Sequence, residues 1–391
     1  MKWLPRLWVS HGEAVGWITL LLFMFGALNI FSASFVHAGQ NLGDSYYFLK
    51  RHLLSAAIGM LFMLIMIRTD YKRWQNAVFP LGLVTFAMLV AVHFIGVEVN
   101  GARRWLNLGF QFQPSELAKF TVMLFSAVYL GRLAERGRRI PLFTAPLLLA
   151  LLLGGIVLKQ PDMGTAVIIV GIALGLQVLG GMAFEYLVIL GAIGGGLGYY
   201  LTFSAAYRAE RYYAWQNPWD FKDGIGYQAV QGLLAIGSGG FWGSGLGMGA
   251  SKFDYLPEAH TDFAFAVLCQ EMGFVGAAAV LLLFLALGYH GIKIALQARD
   301  AYGKFLAMGV VFLIVGQGMI NMAMVTNLLP VVGVPLPFIS FGGTSLLVNM
   351  TAIGLLLNVN RQGVRPAEPE ATLPGGVRER LQQSRRLSRV K

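Results

Sequence analysis

The sequence predicts an all-α integral membrane protein with about ten transmembrane helices. Hydrophobic residues make up 56% of the 391-residue chain and charged residues only 13%, and the mean hydropathy is +0.63. A bilayer core of about 30 Å takes about 20 apolar residues per helix, and runs of this kind recur along the chain. This pattern excludes a soluble protein.

The apolar runs divide the chain into ten candidate spans that are joined mostly by short connections. The spans cover approximately residues 14–35, 52–69, 76–97, 115–132, 140–158, 164–181, 184–204, 262–290, 303–327 and 341–360. The longer connections cover residues 98–114, 205–261 and 328–340. The first run is longer than the apolar stretch of a signal peptide, so we expect it to be retained as a span.

The long extracytoplasmic segment 205–261, between the seventh and eighth spans, is predicted to be more than a loop. Its stretch Tyr227–Leu246 is apolar yet rich in glycine. Non-helical backbone is tolerated at membrane depth only where protein or a water-lined cavity surrounds it. We therefore expect a short helix and a re-entrant or interfacial turn here. In the seventh span, Gly191 and Gly195 have a spacing that predicts close packing against another helix.

The positions of lysine and arginine predict cytoplasmic termini, since basic residues near the ends of spans resist translocation. Most of the 30 Lys and Arg residues then lie inside, in the N-terminus 1–13, the inner loops and the tail 362–391. The membrane domain covers 14–361, and the basic tail has little to bury and is expected to be disordered. Cytoplasmic segments that face anionic lipid explain the net charge of +11, so no nucleic-acid partner is expected. A single cysteine, Cys269, and the lack of metal-ligand spacings predict neither a disulfide nor a metal site built from protein ligands alone.

Ionisable residues at membrane depth are costly and tend to be functional, although structural ion pairs are the standing alternative. In the first outer connection, Arg103 and Arg104 offer planar guanidinium groups that suit phosphate, and headgroup anchoring is the alternative. Glu116 and Lys119 follow at the start of the fourth span, three residues apart on one helix face. They either bind substrate or neutralise each other.

Cations and aromatic residues alternate at the start of the segment 205–261, where Arg208 and Arg211 lie among tyrosines and tryptophans. This pattern can bind phosphate and stack on sugar faces, and it is equally typical of an interfacial anchoring belt. For the two arginines we favour phosphate binding.

A third polar cluster lies directly before the eighth span and contains Glu258, His260 and Asp262. Thr261 or Asp262 can cap the helix that follows. A partly desolvated carboxylate at the edge of a membrane cavity can instead act as a general base. The residues alone do not decide between these roles.

A fourth cluster, Asn327–Ser345, combines three prolines with the run Gly-Gly-Thr-Ser and contains Ser340 and Ser345. This composition predicts a rigid extended segment that turns sharply into the last span. The segment is either a simple connector or one wall of a groove for a long lipid.

Five motifs give the chain a resemblance to a known family. The runs NGARRWLNLGFQFQPSELAK, KQPDMGTA, YQAVQGLLAIGSGGFWGSGLGMG, YLPEAHTDFAFAV and GVPLPFISFGGTSLL occur in this order among the spans. They resemble the SEDS family (shape, elongation, division and sporulation) of bacterial cell-wall polymerases over residues 14–361, and the division members more than the elongation members. Ala264 and Gln270 are mild departures, where Ile and Glu are usual in the family.

The resemblance implies a peptidoglycan glycosyltransferase that joins lipid II into glycan strands on the outer face of the bacterial cytoplasmic membrane during septal synthesis. The implied partners are a class B penicillin-binding transpeptidase and other membrane proteins of the division complex. The family's essential acidic residue falls on Asp262, and its functional polar positions fall on Arg103, Glu116 and Lys119. As a general base, Asp262 would take the proton from the acceptor 4-hydroxyl during an inverting transfer.

The other candidate residues are assigned to substrate binding. Charge stabilisation of the departing pyrophosphate is expected from Arg103, Arg104, Lys119, Arg208 and Arg211. A divalent cation, Mg²⁺ or Mn²⁺, is a candidate bridge between pyrophosphate oxygens, and no organic cofactor is expected. Further candidate substrate contacts are Glu258, His260, Ser340 and Ser345. The alternative functions are a lipid II flippase or transporter and a non-catalytic scaffold for the transpeptidase.

Overall fold

The structure is a computed structural model that describes residues 10–99, 101–107, 109–204, 206–249 and 255–363. The tail 362–391, for which the sequence predicts disorder, lies almost wholly outside the described residues, as does most of the N-terminal segment 1–13. The side chain of Arg208 also lies outside the described part.

Helices dominate the described residues. They are α1 His11–Leu42, α2 Tyr47–Arg68, α3 Trp74–Ile95, α4 Pro114–Glu135, α5 Ala145–Lys159, α6 Met163–Leu179, α7 Phe184–Phe203, α8 Ala206–Gln216, α9 Tyr227–Gly239, α10 Ala264–Leu296, α11 Ala301–Val311, α12 Gln317–Val325 and α13 Gly343–Gly363. A π-helical turn, Phe312–Gly316, joins α11 and α12 into one continuous helix. Three short antiparallel strands, β1 Val97–Val99, β2 Ala102–Asn107 and β3 Gln111–Phe112, lie between α3 and α4.

The helix lengths confirm the predicted class of an all-α membrane protein. Seven helices in the described residues are long and apolar enough to cross a membrane, counting α11 and α12 as one, and α5 and α6 are shorter apolar helices. Each of the ten predicted spans falls on one of these helices or on α7. The number of helices that cross the membrane stays a prediction.

The centre of the bundle is formed by α4 and α13. Helix α13 packs against α1, α2, α4, α10 and α11, and α4 packs against α3, α5, α6 and α11. Both helices carry buried polar side chains among their apolar residues, including Lys119 and Asn349. Four helices, α4, α6, α10 and α13, begin at the end of the bundle that holds Asp262, because contacts described below join their first residues there.

The prediction that the glycines of α7 pack against another helix is wrong for the described chain. A Cβ atom built on Gly191 or Gly195 would meet no atom within 4 Å, and residues 191–200 are exposed. The helix makes its main contact with the short helix α8. The glycine stripe therefore faces away from the described bundle.

The predicted short helix in the segment 205–261 is present as α9, and the glycine-rich residues after it pair with α10 where that helix is broken. Gly273 interrupts α10 with φ 64° and ψ −164°, a conformation that favours glycine. The amides of Ser244 and Gly245 donate to the carbonyls of Gln270 and Glu271, each at 3.0 Å. On the other side of the break, the amides of Phe274 and Val275 donate to Gly240 and Phe241 at 2.9 and 3.2 Å. That the turn enters the membrane stays a prediction.

Candidate functional site

Asp262 lies in a tight series of turns immediately before α10. The amides of Thr261 and Phe263 both donate to the main-chain carbonyl of Glu258 at 3.1 Å, and the Thr261 hydroxyl donates to the Glu258 carboxylate. The N-cap position of α10 is Phe263, which forms no side-chain cap. Capping by Thr261 or Asp262, one of the two roles left open by the sequence, is therefore not what the structure shows.

The main chain of Asp262 is fixed by an asparagine from α12. One amide nitrogen, Nδ2 of Asn321, donates to the carbonyl oxygens of Asp262 at 2.8 Å and Val334 at 2.6 Å. Asn321 is fully buried. The segment before α10 and the proline-rich segment before α13 are therefore held by the same side chain.

The carboxylate of Asp262 is partly buried and forms no hydrogen bond within the described residues. Gly333, from the proline-rich segment, lies directly against it: a Cβ built there would be 3.2 Å from Oδ2 of Asp262. Gly333 has φ +67°, so a larger residue would be both strained and close to the carboxylate. The positions of Gly333 and Asn321 leave the carboxylate oxygens available to a ligand.

The surroundings of Asp262 favour its protonated form. Burial is the largest cause, and the carboxylates of Glu258 and Asp162 act in the same direction while Arg104 opposes them, so that the pKa of Asp262 is raised to about 7. A carboxylate of this pKa exchanges a proton near neutral pH. General bases work best under this condition.

Asp162, in the motif KQPDMGTA, acts electrostatically on Asp262 but was not among the predicted site residues. Asp162 caps α6, since its Oδ1 accepts from the amide of Thr165 at 3.0 Å, and its Oδ2 accepts from Nε2 of Gln113 at 3.4 Å. Burial raises the pKa of Asp162, whereas Arg104 and the bonds from Thr165 lower it. The signal in the sequence was an acidic residue beside a proline immediately before an apolar helix.

Of the two neighbouring arginines, the structure brings Arg104 toward Asp262. Nε of Arg104 donates to the carbonyl of Gln160 at 3.1 Å, and its terminal nitrogen donates to that of Pro161. Arg103 instead pairs with Glu98 at 3.3 Å, and both side chains are 55% exposed. Neighbouring side chains of a strand point to opposite faces, so Arg103 and Arg104 lie on different sides of β2.

Glu116 and Lys119 form the ion pair that their spacing allows, deep inside the protein. Nζ of Lys119 donates to Glu116 at 2.7 Å and to Oε1 of Gln317 at 2.6 Å. The side chains of Lys119 and Glu116 are 0% and 2% exposed. Gln317 connects this ion pair to the proline-rich segment, because its Nε2 donates to the carbonyl of Pro335 at 2.8 Å. The substrate-binding role predicted for Glu116 and Lys119 stays a prediction, and their burial favours a supporting role.

His260 is packed among aromatic rings. Its ring centroid lies 4.4 Å from that of Phe48 and 6.0 Å from that of Phe341, and its carbonyl accepts from the amide of Phe341 at 2.8 Å. Burial lowers the pKa of His260 to about 4. A neutral imidazole at physiological pH offers a substrate no positive charge.

The proline-rich segment carries Ser340 into the turn before α13, and Ser345 lies in the first turn of α13 itself. The hydroxyl of Ser340 accepts from the amide of Leu336 at 2.9 Å, and Ser345 accepts from Nδ2 of Asn349 at 3.4 Å. Both serines are buried. Their predicted contacts with substrate stay predictions, as does that of Arg211, which is exposed on α8.

A metal centre made of protein ligands is not present in the described part of the chain. No group of three or more His, Cys, Asp or Glu side chains there has an arrangement that holds a metal ion.

Long apolar helices and a polar site around Asp262 at one end of the bundle define the chain as a helical integral membrane protein. The chain belongs to the FtsW/RodA/SpoVE family of cell cycle proteins, whose model matches residues 13–364. Family membership confirms the resemblance that the five motifs gave.

Similar relatives include a sporulation protein and several probable peptidoglycan glycosyltransferases. Stage V sporulation protein E of Bacillus subtilis is 42% identical over 356 residues, which cover 88% of this chain and 95% of the relative. The probable peptidoglycan glycosyltransferase FtsW of Geobacter sp. strain M18 is 39% identical over 347 residues, which cover 88% of this chain and 95% of the relative.

Solved structures share the fold over nearly the whole chain. One match is a chain of a peptidoglycan synthase complex whose structure describes how polymerization and crosslinking are coordinated. Its TM-score is 0.74 at 26% identity, and the match covers 92% of this chain and 100% of that one. The rod shape determining protein RodA of Thermus thermophilus matches with a TM-score of 0.66 and 26% identity, covering 93% and 100%.

Proposed function

We propose that this protein is a peptidoglycan glycosyltransferase that polymerises lipid II into glycan strands on the outer face of the cytoplasmic membrane during septal cell-wall synthesis. Its family and the name of the Geobacter relative support the reaction class. The single observation that carries the proposal is Asp262, a carboxylate with a pKa of about 7 and no hydrogen-bond partner within the described residues.

In the proposed reaction, the 4-hydroxyl oxygen of the acceptor sugar attacks the anomeric carbon of the donor. Asp262 accepts the hydroxyl proton as the new C–O bond forms, and the bond from the anomeric carbon to the lipid pyrophosphate breaks. The pyrophosphate leaves with the bonding electron pair, and the anomeric configuration inverts. A properly placed general base contributes about 10²–10⁴-fold to such a rate.

Stabilisation of the departing pyrophosphate is assigned to positive charge at the same end of the bundle. Arg104 lies within electrostatic range of Asp262, and the helices α4, α6, α10 and α13 all begin near it. Helix N-termini favour anions. Arg103, Arg208 and Arg211 are proposed as further contacts at the outer surface. A Mg²⁺ or Mn²⁺ ion that arrived with the substrate would add positive charge beside the pyrophosphate, and no step of the mechanism depends on it.

The proposed partner is a class B penicillin-binding transpeptidase, which would cross-link the strands that this protein makes, beside other proteins of the division complex. The synthase complex that contains a similar chain supports such an assembly. Both termini are proposed to be cytoplasmic.

The test is polymerisation of labelled lipid II by the purified chain with its transpeptidase partner, with the products separated by length. We expect glycan polymer from the wild type and from Asp220→Asn, a control that removes an exposed carboxylate from the same outer segment. Asp262→Asn should make about 10²–10⁴-fold less. Undiminished polymer from Asp262→Asn would contradict the mechanism.

Two outcomes would replace the proposal. Translocation of lipid II across liposomes without polymer would identify a flippase. Binding to the transpeptidase with neither polymer nor translocation would identify a scaffold.

A further inference from the structure

A cleft along the C-terminal half of α4 is lined by apolar and aromatic side chains and by two arginines. It has a volume of about 280 Å³ and is lined by Phe125, Val128, Tyr129, Arg132, Leu133 and Arg136. The first five residues lie on one face of α4, since Phe125, Val128 or Tyr129, and Arg132 or Leu133 are three or four positions apart, and Arg136 follows at the C-cap. Glu116, at the start of the same helix, belongs to the opposite end of the bundle.

The residues that line the cleft extend along the helix axis by about the thickness of one leaflet of a bilayer. Eleven residues separate Phe125 from Arg136, which corresponds to about 16 Å along a helix at about 1.5 Å per residue. Half of a hydrocarbon core of about 30 Å is about 15 Å. With α4 crossing the bilayer as predicted, the apolar part of the cleft would extend toward the bilayer centre and the arginines would lie near the headgroups.

The two arginines are like charges, and within the described residues neither has an acidic partner. Arg132 and Arg136 are four residues apart on one helix face, a spacing at which like charges destabilise a helix. Both are exposed, and neither takes part in an ion pair within the described residues. An anion placed between them would remove the repulsion.

We propose that this cleft binds an anionic glycerophospholipid of the leaflet at the α4 C-terminal end, with the headgroup phosphate between Arg132 and Arg136 and an acyl chain along Val128 and Phe125. Charge complementarity favours a lipid over the chain's own residues 364–391, because those residues carry more basic than acidic side chains. The site is separate from Asp262, so it does not depend on the proposed function.

The test is lipid binding to the full chain in detergent, measured by native mass spectrometry with phosphatidylglycerol and with phosphatidylcholine of the same acyl chains. We expect phosphatidylglycerol to bind about five- to twenty-fold more tightly, because each basic residue near a headgroup contributes about fivefold. Arg132→Gln/Arg136→Gln should abolish the difference. Arg138→Gln/Arg139→Gln should keep it, since this matched pair is exposed outside the cleft.

A second variant separates the cleft from surface charge alone. Leu133→Trp fills the cleft and keeps both arginines, so it should weaken phosphatidylglycerol binding, with the thermal midpoint of unfolding as the check that the protein is folded. Equal binding of the two lipids, full binding by the Arg132/Arg136 variant, or no effect of a folded Leu133→Trp would each overturn the proposal. So would tighter binding of a polyprenyl phosphate than of phosphatidylglycerol.

Discussion

Asn321 holds the main chain of Asp262 through a hydrogen bond of 2.8 Å from its side-chain amide, across 59 positions of sequence. The same nitrogen holds the carbonyl of Val334 at 2.6 Å. The geometry of the carboxylate is thus set by α12 and the proline-rich segment as well as by its own turn. A positioning residue of this kind affects a reaction without touching the substrate.

Replacing Asn321 by leucine should therefore lower kcat more than KM. Misplacement of a reacting group by about 1 Å can cost about 100-fold in rate, so we expect a loss of about tenfold or more. Asn358→Leu is the matched control, because Nδ2 of Asn358 donates to the carbonyls of Met66, Ile67 and Thr69 at the other end of the bundle. Both variants should lower the thermal midpoint. If Asn358→Leu lowers the rate per folded molecule equally, the positioning role is wrong.

Asp262→Asn should remove activity without lowering stability. The pKa of Asp262 is raised in the folded state to about 7, above about 3.9 in the unfolded chain. Ionisation of this group therefore costs stability as the pH rises from about 4 to about 7. A neutral amide avoids that cost, so the thermal midpoint at pH 8 should be equal to or higher than that of the wild type. A marked decrease would mean that the carboxylate supports the fold.

The rate of polymerisation should depend on pH through the same group. A general base acts when deprotonated, so kcat/KM should rise about tenfold per pH unit below pH 7 and level off above it. Arg104 lowers the pKa of Asp262, so Arg104→Gln should move the midpoint of this profile to higher pH. Arg103→Gln removes the neighbouring charge, which is exposed, and should leave the midpoint in place. Identical shifts from both variants would contradict the assignment of Arg104.

The loss of stability on replacing Lys119 should depend on whether Glu116 is still charged, because the two side chains form a buried ion pair. Removing one partner of a buried ion pair leaves an uncompensated charge and costs about 3–5 kcal/mol. Lys119→Met should therefore lower the thermal midpoint strongly. Glu116→Gln/Lys119→Met leaves no charge and should recover part of the loss, as a double-mutant cycle would measure. If the double variant is as unstable as the sum of the single variants, the two side chains act independently.

Apolar runs of sufficient length made the positions of the long helices predictable from the sequence. The spacing of Glu116 and Lys119 likewise allowed their pairing to be anticipated, because three residues along a helix fix the geometry. Asn321 was not predicted as a site residue. The carbonyls that it binds, of Asp262 and Val334, come near it only through the packing of α12 against distant segments. Arg104 and Arg103 could not be separated without knowing that a strand, with its alternating sides, contains them.

The contact predicted for Gly191 failed for a different reason. Small residues permit a close approach of helices but do not require one. The free energy of packing in lipid is decided by which helices the connections bring together, and α7 is followed by the short helix α8 rather than by a neighbour in the bundle.

The break in α10 at Gly273 makes two distant stretches of sequence one cooperative unit. Residues 240–245 and 270–275 satisfy each other's main-chain groups through bonds of 2.9 to 3.2 Å. Separating them would leave at least four main-chain polar groups without their hydrogen-bond partners. Residues 240–245 and the α10 residues 270–275 therefore separate as one unit, because the main-chain groups of each stretch are the hydrogen-bond partners of the other.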